Sequence, residues 1–343
     1  MTFSDLARRL DRRLDRLTRR RGALGAPQLR VQRGDDVYTY GDQVTPFHGA
    51  SIGKLYTTVA VLQLVEEGRI RLDDGIDRHV GSQEIAGLFH ADAPAPTILQ
   101  LLCHESGADD YYEGTSISGP SFREVLRADL DRVWQPSELL DFAREWQRPF
   151  ARPGERFRYS DTGFAVLGRL IEERDGCPYE DAVQTRVLDR AGLADSFLPG
   201  WPLRNARLSP CYLGSVDVSQ KNALSIGWAG GGVAATPQGF LDFSRALHDG
   251  TLVSAAHRGL MGDVRNRVRP GIHYGAGMME LRFGGFSPLL RGLPRVRGHI
   301  GSLSTYLFHD EASGTHLALN MHSTSEMARG VRTVISVTQE LTR

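Results

Sequence analysis

Ser51 and Lys54 are the residues whose types and spacing suggest chemistry, and they lie in the run FHGASIGK at positions 47–54. If a helix begins at or just before Ser51, side chains three positions apart share one face, so the Lys54 amine lies beside the Ser51 hydroxyl. A serine hydroxyl is a poor nucleophile unless a neighbouring base takes its proton, and a partly desolvated lysine can be that base. The spacing therefore predicts a Ser-x-x-Lys nucleophile.

Lysine is rare in this chain, since only Lys54 and Lys221 occur among 41 basic residues. Arginine supplies every other positive side chain, and a guanidinium does not give up its proton in proteins. A lysine at this position therefore indicates a need for an amine that can be deprotonated. The structural alternative is a surface lysine one turn from a helix-capping serine.

The same serine also fits the G-x-S-x-G nucleophile elbow of α/β-hydrolases, because residues 49–53 read GASIG. An elbow serine follows a strongly apolar central strand in a fold that alternates strands and helices. Residues 42–48 are a poor candidate for a buried strand, and the rest of the chain does not alternate in this way. The pattern therefore favours the Ser-x-x-Lys interpretation.

Hydrophobic periodicity predicts a helix and a hairpin first, a helical middle, antiparallel strands and a closing helix. Helices are predicted within residues 1–21, from 51 to 68, at 97–102, over most of 122–146, and at 164–174, 179–188, 238–247 and 331–341. The hairpin is predicted at 28–33 and 37–40, and later strands at 274–281, 295–299, 304–309 and 316–322. The glycines at 230–232 lack the lysine and spacing of a P-loop, so they predict a tight loop close to other backbone.

Composition argues against several classes of function. The formal net charge is zero, which gives no indication of a nucleic-acid partner, and no apolar run approaches the ~20 residues of a membrane span. The arginine-rich N-terminus lacks the apolar stretch of a secretory signal, and its leucine stripe is expected to pack on the core rather than on a membrane surface. Three widely spaced cysteines fit a reduced compartment, so the predicted location is cytoplasmic.

Four further motifs follow the Ser-x-x-Lys pair. They are LLCHESG at 101–107, the triplet Tyr159-Ser160-Asp161, the glycines at 230–232 with Thr236-Pro237, and HIG at 299–301. In this order the chain resembles the penicillin-binding-protein and class C β-lactamase-like superfamily of serine hydrolases, from about residue 28 to 322. The triplet is similar to the family's Tyr-x-Asn box; a class A Ser-Asp-Asn box is the alternative interpretation.

The resemblance implies an α/β (α+β) fold of the β-lactamase/transpeptidase type, in which N- and C-terminal helices flank an antiparallel sheet. Residues 1–50 plus 265–343 would form the sheet domain and residues 51–264 a mostly helical region, with the cleft between them in a single catalytic unit. Ser51 would be acylated while Lys54 and Tyr159 relay its proton, and Tyr159 would be shifted toward the phenolate by the neighbouring ammonium. Backbone N–H groups of Ser51 and Ser302 would form the oxyanion hole.

Two departures from the family pattern bear on the substrate. Asp161 replaces the usual asparagine, and an ionised carboxylate can hold Lys54 charged or bind a substrate amine, but cannot donate a hydrogen bond. Ile300 lacks the hydroxyl that usually helps to bind a free carboxylate, which weakens the case for β-lactams and D-Ala-D-Ala termini. The expected substrate-binding residues are Asp161, His299, Ile300, Gly301, Tyr111, Tyr112 and Trp228.

The sequence therefore predicts a serine hydrolase that cleaves a small ester or amide through an acyl-enzyme. No metal or organic cofactor is implied, the expected partner is a small-molecule substrate rather than nucleic acid or membrane, and the oligomeric state is open. An acyltransferase with the same acyl-enzyme and a D-aminopeptidase-like peptidase are alternatives. A catalytically silent binding protein on the same fold is the alternative from another class.

Overall fold

The computed structural model describes residues 3–200 and 207–342, with side chains from residue 7 onward. Its helices are α1 Phe3–Thr18, α2 Gly53–Glu66, α3 Ser82–Ile85, α4 Ile98–Leu102, α5 Phe122–Ala128, α6 Pro136–Trp146, α7 Asp161–Asp175, α8 Tyr179–Val183, α9 Trp228–Gly231, α10 Pro237–Asp249, α11 Ala255–Met261 and α12 Met327–Leu341. Its strands are β1 Gln28–Arg33, β2 Asp36–Tyr40, β3 Phe47–His48, β4 Ser196–Phe197, β5 Tyr212–Leu213, β6 Val216–Asp217, β7 Ala234–Ala235, β8 Asn266–Arg269, β9 Ile272–Tyr274, β10 Met279–Leu281, β11 Val296–Gly301, β12 Thr305–Asp310 and β13 Thr315–Asn320.

An eight-stranded antiparallel sheet, in the order β2-β1-β13-β12-β11-β10-β9-β8, forms the centre of the fold. The N-terminal strand β1 pairs with the late strand β13, with Leu29 opposite Leu319 and Val31 opposite Leu317. These four side chains are buried in one cluster that also contains residues of α1 and α12. The terminal helices therefore cover one face of the sheet.

The other face of the sheet carries the helical part of the chain, and α2 lies at the centre of that part. Twelve consecutive residues of α2, from Gly53 to Leu64, are buried. Most of these side chains are apolar, as is typical of a helix that lies inside a protein rather than on its surface. The first turn of this helix carries Lys54, so the predicted catalytic lysine lies in the core.

The fold class and most element predictions are confirmed. The hairpin, the helices at 97–102 and 238–247, and three of the C-terminal strands occur within one or two residues of the predicted positions. Leu10 and Leu14 of α1 are buried, as expected for a helix that packs its leucines on the core. The side chains of Phe3 and Leu6 lie outside the described part of the chain. The division into two domains at the predicted boundaries stays a prediction.

One element prediction was wrong, and one strand was missed. Residues 274–281 do not form one strand, because Gly277 takes a left-handed φ of 71° and turns the chain between β9 and β10. A Cβ at Gly277 would also collide with the side chain of Thr58 of α2. The stretch 122–146 is mostly helical, as predicted, with a break between α5 and α6 before Pro136. Strand β8 was missed, because Asn266–Arg269 is a short edge strand with two arginines and no apolar run.

Three histidines stack between α10 and the sheet. His309 of β12 lies opposite His316 of β13, with ring centroids 4.3 Å apart, and His248 of α10 lies 4.0 Å from His309. Burial and the neighbouring rings lower the pKa of His316 to about 3 and the pKa of His248 to about 2. The rings are therefore packed in their neutral form.

The stacked histidines predict a loss of stability in acid. In the unfolded chain a histidine takes up its proton near pH 6.5, whereas His248 and His316 stay neutral in the folded protein down to about pH 3. The unfolded state therefore binds more protons between these limits, so the stability present above pH 6.5 falls as the pH decreases. We expect His248→Phe to reduce the slope of unfolding free energy against pH, measured by urea denaturation near pH 5, by about 1.4 kcal/mol per pH unit. A slope equal to that of the wild type would contradict this assignment.

Candidate active site

Ser51 lies in a short 3-10 turn, Ala50–Ile52, between β3 and α2. Ser51 thus follows a two-residue strand rather than a long central strand, so the local structure is not that of a nucleophile elbow. Its neighbour Ala50 has a left-handed φ of 48°, a strained conformation for a residue with a side chain. Gly49 holds the turn in place, because its N–H donates to Val233 O at 2.8 Å and its carbonyl accepts from Thr305 Oγ1 at 2.7 Å.

Lys54 is fully buried, and its amine contacts the Ser51 hydroxyl. Its Nζ donates to Ser51 Oγ at 3.3 Å and to Gly230 O at 2.7 Å, and it forms an ion pair with Asp161. These three acceptors match the three N–H donors of an ammonium group. The structure thus brings together the two residues of the Ser-x-x-Lys pair and adds two acceptors from distant parts of the chain.

Asp161 is held at the N-terminus of α7, which places its carboxylate beside Lys54. Its N–H donates to Asp110 Oδ1 at 3.0 Å, and Asp110 also accepts from the N–H groups of Tyr112 and Glu113. Burial and the nearby Asp161 carboxylate raise the pKa of Asp110 to about 8. Asp110 therefore anchors the start of α7, and sequence reasoning missed it because a buried aspartate in a loop leaves no pattern.

Tyr159 also reaches the site, two residues before α7. Its ring lies 4.9 Å from Lys54 Nζ and packs against His104 with a centroid separation of 4.3 Å. The Tyr159 hydroxyl is buried and has no hydrogen-bond partner among the described residues. Burial and the Asp161 charge raise the pKa of this phenol well above its usual value, while the adjacent Ser51 hydroxyl acts in the opposite direction. The expected shift toward the phenolate is therefore reversed.

The HIG run lies at the end of β11, but its histidine does not face open space. His299 is completely buried; its Nδ1 donates to Ile300 O at 2.9 Å and its Nε2 accepts from the Tyr274 hydroxyl at 3.4 Å. Burial and the Lys54 charge lower its pKa to about 3, so this imidazole is neutral. Gly301 lies so close to the Gly49 carbonyl that a Cβ there would be 2.4 Å from the oxygen. The run therefore packs β11 against the Ala50–Ile52 turn, the nucleophile turn.

A largely apolar cavity opens beside Ser51. The two predicted oxyanion-hole residues, Ser51 and Ser302, line it together with Asp161, Tyr111 and Tyr112. The remaining side chains in its wall are mostly aliphatic: Leu126, Leu213, Val218, Ala223, Leu224, Ile226 and Leu303. The cavity wall does not include His299, Ile300 or Gly301, which lie in β11.

Trp228 was expected in the cleft, but its ring points into the helical core. The indole packs against Tyr179 with a centroid separation of 5.3 Å, and a Cβ at Gly168 would lie 2.7 Å from it. The structure therefore does not bring Trp228 to the cavity. The adjacent Gly230 and Gly231 lie in the short helix α9 rather than in the predicted loop. They do pass close to other backbone, since a Cβ at Gly231 would be 2.8 Å from the carbonyl carbon of Ala50.

Comparisons with known proteins agree with this geometry. The profile of the β-lactamase family matches residues 10–338. The chain belongs to the β-lactamase family. In the part that the structure describes, no three His, Cys, Asp or Glu residues are grouped as a metal site, and no helix is long and apolar enough to cross a membrane.

Relatives of this β-lactamase-family chain include a penicillin-binding protein and an esterase. Penicillin-binding protein 4 of Amycolatopsis lactamdurans is 30% identical over 197 residues, which are 56% of this chain and 46% of that protein. Esterase EstB of Burkholderia gladioli is 30% identical over 226 residues, 59% of this chain and 54% of the esterase. The chain thus spans about half the length of these two curated relatives.

Solved structures resemble the chain over nearly its whole length. A D-stereospecific amidohydrolase from Streptomyces sp. has a TM-score of 0.78 and 25% identity, and the match covers 98% of each chain. The D-amino acid amidase of Ochrobactrum anthropi SV3, complexed with L-phenylalanine amide, has a TM-score of 0.80 and 21% identity over 98% of this chain and 99% of its own. The second of these likenesses shows the fold alone.

Because Lys54 and Asp161 form an ion pair in the site, we expect two aspartate substitutions to lower the free energy of unfolding by different amounts. Asp161→Ala leaves the buried Lys54 ammonium without its counter-charge, which we expect to reduce the free energy of unfolding by about 3–5 kcal/mol. The chain offers a matched control, because its other lysine, Lys221, pairs with the exposed Asp131 at 2.9 Å. Asp131→Ala should cost less than about 1 kcal/mol. Equal costs for both variants in chemical denaturation would show that the Lys54 pair is not a buried charge pair.

Proposed function

We propose that this protein is a serine hydrolase that cleaves a small ester or amide through an acyl-enzyme on Ser51. The observation that carries the proposal is the contact of the Lys54 amine with the Ser51 hydroxyl at 3.3 Å, with the Tyr159 ring 4.9 Å from the same amine and Ser51 in the wall of an apolar cavity. The family and the esterase and amidohydrolase relatives support the same reaction class.

In the resting site Lys54 holds its proton, because all three donors of the ammonium have acceptors. We assign the uptake of one Lys54 proton to the contacting Asp161 carboxylate, which leaves a neutral amine. As Ser51 Oγ attacks the substrate carbonyl, its proton passes to that amine, and the oxygen–carbon bond forms. Backbone N–H groups of Ser51 and Ser302, at the cavity wall, would stabilise the oxyanion.

Tyr159 is assigned the role of acid toward the leaving group. Its raised pKa keeps the phenol protonated before attack, and its hydroxyl is not held by another residue. The phenol gives its proton to the leaving oxygen or nitrogen as the carbonyl bond breaks, and the Lys54 ammonium restores it. In deacylation these transfers run in reverse. Tyr159, after giving its proton to the Lys54 amine, takes the proton of the attacking water. The Lys54 ammonium then returns a proton to Ser51 as the bond to the acyl group breaks, and Asp161 gives its proton back to Lys54.

A D-amino acid amide is a second candidate substrate, favoured by one observation. The Asp161 carboxylate lines the cavity and is partly exposed, so a substrate ammonium could reach it. The D-stereospecific amidohydrolase with the same fold agrees with this candidate. An acyltransferase would differ only in the acceptor that attacks the acyl-enzyme.

Active-site labelling tests the nucleophile and its base. A fluorophosphonate probe should label the wild type and fail to label Ser51→Ala, with the modified peptide identified by mass spectrometry. Lys54→Arg should lose nearly all turnover of p-nitrophenyl acetate and of D-phenylalanine amide, because a guanidinium cannot take up the serine proton. Lys221→Arg is the matched control and should retain wild-type rates. Absence of labelling in the intact protein would support a silent binding protein.

Removal of the Tyr159 hydroxyl should separate activity from stability. The hydroxyl has no partner in the folded protein, so Tyr159→Phe should leave the melting temperature unchanged or higher. The same variant should lose about 10²–10⁴-fold in kcat, because the leaving group loses its acid. Tyr56→Phe is the control, since that buried hydroxyl is also unpartnered and its ring stacks on Phe243 of α10. Normal kcat in Tyr159→Phe would remove the phenol from the mechanism.

A further inference from the structure

His48 is a buried residue of β3 that the proposed mechanism does not use. Only 3% of its surface is exposed. The Ala50 N–H donates to its Nδ1 at 3.1 Å, so this nitrogen is an acceptor and carries no proton. In a neutral imidazole the proton must then be on Nε2, which becomes a donor.

The Nε2 donor of His48 has no partner among the described residues. A buried donor without an acceptor costs about 1–3 kcal/mol, and such groups are rare unless they serve a function. His48 is in the wall of the cavity beside Ser51. Two other polar groups of that wall are engaged, since the Tyr111 hydroxyl donates to Ile226 O at 2.7 Å and Asp161 pairs with Lys54. His48 thus lines an otherwise mostly aliphatic space and carries a donor that no described residue uses.

The proposed mechanism decides which part of a substrate enters this cavity. The leaving group must face Tyr159, which gives it a proton, and Tyr159 does not line the cavity. Ser51 and Ser302, which would hold the scissile carbonyl, do line it. The acyl group, which stays on Ser51 after the leaving group departs, therefore fills the space near His48.

We propose that His48 is a substrate-binding residue whose Nε2–H donates to an acceptor oxygen within an otherwise apolar acyl group. The preferred substrate class is accordingly an ester or amide of a short acid that carries an ether or carbonyl oxygen along its chain. A plain alkanoyl group would fill the same cavity but leave the buried donor unpaired. The assignment rests on the proposed hydrolase function.

Matched pairs of p-nitrophenyl esters test the assignment. Methoxyacetate is compared with butyrate, and 3-methoxypropanoate with pentanoate, since each pair differs by one oxygen in place of a methylene. Within each pair, the kcat/KM of the oxygen-containing ester is divided by that of the alkanoate. This ratio is then divided by the ratio of the two rates of hydroxide-catalysed hydrolysis. The result is a normalised ratio that is corrected for the intrinsic reactivity of the esters. In the wild type we expect at least one pair to favour the oxygen-containing ester by about 10-fold.

His48→Asn is the informative variant, because its amide oxygen can replace Nδ1 as the acceptor for Ala50 N–H while the Nε2 donor is lost. Its normalised ratio should fall to about 1. His90→Asn is the matched control. The Nδ1 atom of His90 also accepts from the N–H group two residues later, that of Asp92, at 3.3 Å, but His90 does not line the cavity. Its ratio should equal that of the wild type.

The outcomes separate this inference from the function on which it rests. Wild-type turnover of all four esters with both normalised ratios near 1 would overturn the role of His48 and leave the hydrolase intact. A ratio that persists in His48→Asn would overturn it as well. If the wild type turns over none of the esters and Ser51 is not labelled, the proposed function itself fails. If His48→Asn does not fold, the wild-type ratios alone decide.

Discussion

A lysine ammonium enclosed in the protein core is the constraint on which the rest of this structure depends. Moving such a charge out of water costs several kcal/mol unless close acceptors replace its hydration. Lys54 finds those acceptors in Asp161, the Gly230 carbonyl and the Ser51 hydroxyl. The three groups come from α7, α9 and the turn before α2, so the neutralisation of one charge fixes how three segments meet.

Close backbone packing is the second requirement for this arrangement. The Gly230 carbonyl can reach Lys54 only because the following glycines let α9 lie against the nucleophile turn. A Cβ on Gly53 would stand 2.8 Å from Gly231 Cα, and a Cβ on Gly231 would be equally close to Ala50. Real side chains do not tolerate such contacts. The glycines of α9 therefore have a packing role that a phosphate-binding interpretation would have missed.

Unfavourable features are concentrated at the proposed active site. Ala50 has a strained φ, the Tyr159 hydroxyl is buried without a partner, and His48 Nε2 is a buried donor without an acceptor. Each of these costs folding free energy on its own. Natural proteins break such local rules mainly where function needs it. In the proposed reaction a leaving group would pair with the Tyr159 hydroxyl, and an acyl oxygen with His48 Nε2. The stacked histidines between α10 and the sheet, by contrast, take no part in the proposed chemistry and affect stability in acid.

The sequence by itself determined the Ser51–Lys54 pair, because residues three apart on a helix must lie together and because lysine is so rare in this chain. It also determined most helices and the C-terminal strands, since their apolar periodicity is strong. Tertiary structure alone decided that Trp228 packs on Gly168 in the core rather than in the cavity, because this contact joins α7 and α9, which are far apart in the chain. It alone decided the Lys54 acceptor at Gly230 and the free nitrogen of His48, because a carbonyl has no sequence signal and a hydrogen-bond vacancy exists only after the chain has folded around it.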